Sequence, residues 1–274
     1  MTLNIREYGP AGGPEVLAIH GITAHGGSWA AVSALLPEHH VIAPDLRGRA
    51  GSRDLLGPFG LRRHADDLAA LLRARGGSPR VVAGHSMGAF IAVALAAAYP
   101  ELVKRLVLVD GGLPLELPEG ATPADTARLL GPAAERLQRV FASVDEYLDF
   151  WRAHPAIGPY WPATWDAYAR DDLIGTAPEL RASASVEAMI ADGAELYGPD
   201  WYLAALRSLR IPVSVLRAPR GLLDADPLYA PGAIEEFRSL VPQLRLAEVE
   251  DVNHYTVLFS DRGAAAVADA IEHP

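Results

Sequence analysis

Short, uninterrupted apolar runs alternate along this chain with longer stretches whose apolar residues recur every three or four positions. The first run is Glu15-Val16-Leu17-Ala18-Ile19-His20, halted by Gly21, and the second is His40-Val41-Ile42-Ala43-Pro44-Asp45. Arg80-Val81-Val82-Ala83-Gly84 and Arg105-Leu106-Val107-Leu108-Val109-Asp110 follow, and Pro212 to Arg217 and Leu244 to Val249 complete the set. Runs of this length, rich in Val, Ile and Leu, predict strands buried on both faces. Between them, Leu61 to Arg75 places Leu68, Leu71 and Leu72 on one helical face, and Met87 to Tyr99 is an Ala-rich helix closed by Pro100. A last helix is expected from about Asp261 to Ile271. Strands that alternate with helices predict an α/β fold around a mostly parallel sheet flanked by helices.

The pattern breaks between Leu113 and Leu209. Strand-like runs disappear there, and helical segments carry a concentration of aromatics that includes Trp151, Trp161, Trp165, Tyr168 and Tyr202. This predicts a helical cap at 113–209, inserted into a core formed by 1–112 and 210–274. Most of these aromatics individually are expected to be packing residues.

Composition narrows the chemistry. Half of the 274 residues are hydrophobic, enough for a sizeable core. A net charge of −10 argues against a nucleic-acid partner, since phosphate neutralisation needs a basic surface. The chain has no cysteine, which removes disulfides, thiolate metal sites and a cysteine nucleophile. Neither a signal peptide nor a membrane-length apolar stretch is visible, so a cytoplasmic protein without membrane contact is expected.

The strongest chemical signal is Gly84-His85-Ser86-Met87-Gly88, a G-x-S-x-G pentapeptide between a predicted strand and a predicted helix. Such a turn holds a serine hydroxyl above the sheet, and its glycines let neighbouring backbone pass close. His20-Gly21-Ile22-Thr23 follows an earlier strand. The backbone N–H groups of Ile22 and Met87 are therefore expected to form an oxyanion hole, with His20 holding the loop. His254, in a loop between the last strand and the last helix, is the expected base, because imidazole accepts and returns a proton near neutral pH. His39, His40, His64 and His273 read as surface positions, and His25 and His154 as weak candidates for a pocket. No metal-ligand spacing is present.

Taken with Asp45-Leu46-Arg47-Gly48-Arg49-Ala50-Gly51-Ser52 and Asn253-His254, these motifs run through nearly the whole chain. The sequence resembles the α/β-hydrolase superfamily, in its cap-bearing branch of bacterial esterases, lactonases and carbon–carbon bond hydrolases. That resemblance implies a cofactor-free Ser-His-Asp triad with substrate bound between sheet and cap. Relatives usually place the acid after the strand Pro212 to Arg217, where Asp224 and Asp226 stand near an enlarged loop. Others carry it at the end of the preceding strand, at Asp110. Asp110 is the first choice here, with Asp224 and Asp226 as alternatives.

The expected activity is hydrolysis of an ester, lactone or similar activated carbonyl through an acyl-enzyme. The substrate is expected to be small and hydrophobic, in a pocket that includes His25, Trp151, Trp161, Trp165 and Tyr255. Carbon–carbon bond cleavage and a biosynthetic thioesterase or cyclase are the enzymatic alternatives. A non-catalytic small-molecule receptor is the alternative of another class. The resemblance allows a monomer or a homodimer.

Overall fold

Seven strands make one sheet: Ile5–Tyr8 (β1), Glu15–Ile19 (β2), His40–Pro44 (β3), Arg80–His85 (β4), Val103–Val109 (β5), Val213–Arg217 (β8) and Leu244–Glu248 (β9). Their spatial order is β1-β3-β2-β4-β5-β8-β9. All neighbours pair in parallel except β1, which runs antiparallel to β3 at the edge. The computed structural model describes residues 2–116, 120, 122 and 131–273.

Six of these strands lie where the apolar runs predict them. The short β1 escapes the pattern because it is an edge strand, only half-buried and interrupted by Arg6 and Glu7. Central strands are apolar throughout for the reason expected, namely helices on both faces: Val16 to Ile19 and Leu106 to Val109 are fully buried. Each such Val, Leu or Ile side chain contributes roughly 1.5–3 kcal/mol relative to exposure.

Chain order reverses at β2, which has β3 on one side and β4 on the other. In a parallel sheet, loops leaving the carboxyl ends of two strands at such a reversal diverge and leave a crevice. Here those loops are the one after β2, carrying Gly21 and Ile22, and the turn after β4, carrying Ser86.

After the short helix Ala30–Ala34 (α1), helices Leu61–Ala74 (α2) and Met87–Ala98 (α3) pack together. α2 is amphipathic, whereas α3 is buried from Met87 to Ala96 on every face. A helix that is apolar all round belongs inside, which is why this Ala-rich segment runs beneath the site.

Between β5 and β8 the described residues form five helices: Pro132–Gln138 (α4), Val144–Arg152 (α5), Trp165–Asp171 (α6), Val186–Gly193 (α7) and Asp200–Ser208 (α8). They also form a two-stranded antiparallel ladder of Leu173–Ile174 (β6) with Arg181–Ala182 (β7). This ladder departs from the expectation that strands are absent there; two-residue strands are too short to give a pattern. Residues 117–119, 121 and 123–130 of the expected cap lie outside the described residues. Beyond β8 come Pro231–Leu240 (α9), Thr256–Phe259 (α10) and Asp261–Glu272 (α11). Among the described residues, no helix is long and apolar enough to cross a membrane.

Candidate active site

Ser86 occupies the single residue between β4 and α3, with φ 53° and ψ −123°. A side chain at positive φ is strained, and the contacts around the turn show what enforces it. A Cβ on Gly88 would lie 2.1 Å from the Ile19 carbonyl oxygen, and one on Gly84 2.3 Å from the Gly88 carbonyl oxygen. Backbone therefore crosses at distances only glycine allows. Ser86 makes no side-chain cap to its own helix, so its hydroxyl remains available, and the residue borders the central cavity.

The loop after β2 presses against this turn: a Cβ on Gly21 would sit 3.3 Å from Ser86 Cβ. His20 fixes the loop's direction. Its Nδ1–H donates to the Gly21 carbonyl at 2.8 Å, while its Nε2 accepts from the Leu46 N–H at 2.9 Å. In a trans peptide the carbonyl and the following N–H point oppositely, so holding the Gly21 oxygen sets the direction of the Ile22 N–H. Burial lowers the His20 pKa to about 3, which keeps the ring neutral and this donor–acceptor arrangement intact. Met87 N–H, the first of α3, has no intrahelical acceptor by geometry and carries the helix's positive end.

His254 arrives from the loop after β9. Its Nδ1 lies 2.6 Å from Asp110 Oδ2, and both side chains are buried. Asp110 directly follows β5 with φ 42°, a conformation aspartate tolerates, and its Oδ1 accepts the Ala218 N–H at 3.1 Å. His85 supports the imidazole from below: its Nε2–H donates to the His254 carbonyl at 2.8 Å, with the ring centres 4.7 Å apart. Burial, and then the neighbouring His254, hold His85 well below its ordinary pKa, so no second cation competes at the site.

The two alternative acids stand elsewhere. Asp224 accepts from Arg220 Nε, Asn253 Nδ2 and the Tyr160 hydroxyl, each at 2.7–2.9 Å. It thus ties three loops together and reaches His254 only through Asn253. Asp226 is exposed. Asn253 also donates to the Ala156 carbonyl, anchoring the His254 loop to the segment between β5 and β8.

A narrow cavity of about 70 Å³ opens over Ser86 and His254. Trp151, Trp165, Tyr255, Phe90, Tyr168 and Arg136 are among the residues that border it. Tyr255 is pushed up to about 12 by burial and stays protonated. Two expected pocket residues are not among those bordering the cavity. His25 is buried behind the wall, stacked on Tyr168 at 4.3 Å with its Nε2 at the Tyr168 carbonyl. Trp161 is half-buried against the core, under the Arg152 guanidinium. His40 and His64 also differ from expectation, being buried rather than at the surface. His40 is a β3 residue with Glu7 at 3.2 Å, and His64 contacts Asp192 at 2.9 Å.

Arg136 carried no signal in the sequence. It is fully buried on α4, pairs with Asp172, donates to the Tyr147 hydroxyl at 2.6 Å and to the Thr23 carbonyl at 2.8 Å. Burial alone would raise the Asp172 pKa, but the Arg136 charge, the His25 ring and hydrogen bonds from Ser183 and Tyr147 together outweigh it and hold the carboxyl down. Among the described residues, no group of three or more His, Cys, Asp or Glu is arranged to hold a metal ion.

A doubly wound parallel sheet with a strained serine after β4 and a buried His–Asp pair beside it defines an α/β fold of the nucleophile-turn type. The comparisons agree and go further. Residues 14–261 match the family model described as alpha/beta hydrolase fold. Lipase LipV of Mycobacterium tuberculosis is 35% identical over 230 residues, covering 75% of this chain and 85% of that protein. The 2-(acetamidomethylene)succinate hydrolase of Mesorhizobium japonicum is 29% identical over 259 residues, covering 93% of this chain and 86% of that protein. A solved structure of E-2-(acetamidomethylene)succinate hydrolase superposes with a TM-score of 0.81 at 25% identity, covering 98% of this chain and 95% of that one. The chain belongs to the alpha/beta hydrolase fold family.

Proposed function

We propose that this protein is a serine hydrolase acting on esters with short acyl groups, lactones included, through Ser86, His254 and Asp110. The observation that carries this reading is the 2.6 Å contact between Asp110 and the His254 Nδ1, beside a serine held in a strained turn at the same cavity. Asp110 accepts the Nδ1–H and leaves Nε2 as the base. His254 Nε2 takes the Ser86 proton while Oγ bonds to the substrate carbonyl carbon. The Ile22 and Met87 N–H groups receive the developing oxyanion. The C–O bond to the alcohol then breaks, and His254 returns the proton to the leaving oxygen. Water next gives a proton to His254 and attacks the acyl carbon; the bond to Oγ breaks, Ser86 regains its proton and the acid departs.

The segment 113–209 serves as the cap in this reading, because Trp151 and Trp165 bring its aromatic face to the cavity. Size favours a short acyl group. A cavity of about 70 Å³ is well below the roughly 300–1,000 Å³ of sites for larger ligands. Cleavage of a carbon–carbon or amide bond by the same residues is a second reading, supported by the relative whose name is 2-(acetamidomethylene)succinate hydrolase. A non-catalytic receptor has less support, since its premise is a histidine without an orienting acid.

Hydrolysis of p-nitrophenyl acetate and butyrate tests the proposal. Turnover that disappears in Ser86→Ala is expected. Turnover that persists in Ser86→Ala, or inertness toward both esters, counts against it.

A further inference from the structure

Three successive carbonyls of the loop after β2 are each held by a buried side chain. His20 Nδ1–H donates to the Gly21 oxygen at 2.8 Å, Arg49 Nε–H to the Ile22 oxygen at 3.1 Å, and Arg136 Nη2–H to the Thr23 oxygen at 2.8 Å. The Gly21 oxygen also accepts the Ala24 N–H at 3.2 Å, which closes the loop into a turn.

The two arginines come from different parts of the chain, and each is itself anchored. Arg49, in the loop after β3, pairs with Asp192 of α7 and donates to the Arg47 carbonyl at 2.9 Å. Asp192 in turn accepts the Gly60 N–H at 2.6 Å and contacts His64 Nε2 at 2.9 Å. Arg136 of α4 pairs with Asp172, which also accepts the Ser183 hydroxyl at 2.6 Å. All four charged side chains are buried. A buried ion pair contributes little net stability, because desolvation of its charges offsets their attraction. Two such pairs ending on adjacent carbonyls of one loop therefore call for a role other than stability.

That loop carries the Ile22 N–H. His20 sets the direction of this donor through the Gly21 oxygen, but its place depends on where the Ile22 Cα sits. Peptide planes are rigid, so neighbouring planes move only by rotation about the Cα they share. With the next two planes held at the Ile22 and Thr23 oxygens, the Ile22 Cα is pinned from both sides. Placement matters here: an oxyanion donor must lie about 2.7–3.1 Å from the developing charge, and a 1 Å misplacement can cost about 10²-fold in rate.

We propose that Arg49 and Arg136 are positioning residues for the oxyanion hole, placing the Ile22 N–H through the Ile22 and Thr23 carbonyls. The proposal rests on the ester-hydrolase reading and assigns two residues to its mechanism. Because Arg136 and Asp192 belong to the segment between β5 and β8, that segment contributes to the hole as well as to the cavity wall.

The test uses Arg49→Lys and Arg136→Lys, which keep a charge opposite Asp192 and Asp172 but lose the planar fork that reaches acid and carbonyl together. Arg47→Lys is the control: Arg47 is buried in the same loop as Arg49, yet its side chain holds Asp67 and the Leu56 carbonyl instead. Rates with p-nitrophenyl butyrate are divided by the active sites counted in an end-point fluorophosphonate titration, so partial unfolding does not register as slow chemistry. Inhibition by 1,1,1-trifluoropentan-2-one is measured beside that by 1,1,1-trifluoropentan-2-ol. Ser86 Oγ adds to the carbonyl carbon of the ketone and passes its proton to His254, which leaves a negative oxygen in the hole; the alcohol binds without this addition. Losing an oxyanion donor outright costs about 10²–10³-fold, so a displaced one should cost kcat about 10–10²-fold. KM should change by only a few-fold, the ketone Ki should rise by the factor lost from kcat/KM, and the alcohol Ki should stay within about twofold. Arg49 is not among the residues bordering the cavity, so its effect cannot come from a lost substrate contact. Arg47→Lys should match wild type within about twofold throughout.

The proposal is overturned for either arginine whose Lys variant keeps kcat and ketone affinity within about twofold of wild type, or loses kcat with the ketone Ki unchanged. An equal loss in Arg47→Lys overturns it for both. Ketone affinity is readable without turnover, so wild type that resists both esters but binds the ketone more tightly than the alcohol leaves this test standing while the ester reading fails. Wild type that binds ketone and alcohol alike overturns both.

Discussion

Asp110→Asn changes one atom of the site and loses by either orientation of the new amide. Asp110 serves two donors at once: Oδ2 accepts from His254 Nδ1–H and Oδ1 from the Ala218 N–H. If the asparagine keeps its oxygen toward Ala218, its NH2 faces Nδ1. The imidazole must then accept there and carry its proton on Nε2, the tautomer unable to take a proton from Ser86. If the amide flips to preserve the Nδ1 contact, its NH2 opposes the Ala218 N–H in a fully buried position. Leaving that N–H unpaired costs about 1–3 kcal/mol. The same substitution in a serine protease costs about 10⁴ in kcat, equivalent to about 5 kcal/mol of barrier at 1.36 kcal/mol per decade. A loss of about 10³–10⁴ in kcat is expected here, with KM for p-nitrophenyl butyrate changed by only a few-fold and the folded state retained by circular dichroism. Asp224→Asn and Asp226→Asn, assayed alongside, should stay within about tenfold of wild type. Asp110→Asn retaining more than a tenth of wild-type kcat would refute the reasoning, as would a 10³-fold loss in Asp224→Asn.

Two further predictions concern stability. Gly88→Ala drives a Cβ to 2.1 Å from the Ile19 carbonyl oxygen and 2.7 Å from that of His20, both backbone atoms that cannot swing aside. Overpacking of this kind costs about 1–3 kcal/mol, so Tm should fall by about 2–12 °C in a thermal melt; an unchanged Tm would contradict the crossing. Acid should destabilise the protein through His20. Its folded pKa is depressed to about 3 while the unfolded chain titrates near 6.5. Stability from this group is therefore complete above pH 6.5 and is lost as pH falls toward 3, amounting to about 2 kcal/mol by pH 5. Denaturant midpoints measured at pH 7 and pH 5 check it: His20→Asn should shrink the difference, the remainder coming from His25, His85 and His154, whose pKa values burial also lowers.

How much of this was legible in the chain follows from which interactions leave a local pattern. Strands such as Val16 to Ile19 are apolar because both faces are covered, so their positions were visible; β1, half-exposed at the edge, was not. Ser86 was visible because strand, tight turn and helix are consecutive in sequence. Its relation to Asp110 and His254 depends on which strands lie side by side, and spacing alone cannot specify that. Asp224 looked like a candidate acid because an enlarged loop gives no register, whereas the fold commits its carboxylate to Tyr160, Arg220 and Asn253. Arg136 was illegible, since an arginine on a helix ordinarily faces water and only tertiary packing against Asp172 and Trp151 buries it. His25 and Trp161 erred for a related reason: aromatic character marks a packed segment without saying which side of it meets the cavity.

The most direct measurement is intact-mass analysis, with peptide mapping, after exposure to a fluorophosphonate that reacts only with a serine activated by a neighbouring base. A single adduct on Ser86 is expected, absent in Ser86→Ala and formed at least 10²-fold more slowly in His254→Ala, about the scale of one general base. No adduct, or one on a different serine, would contradict the claim that this turn and this imidazole act together.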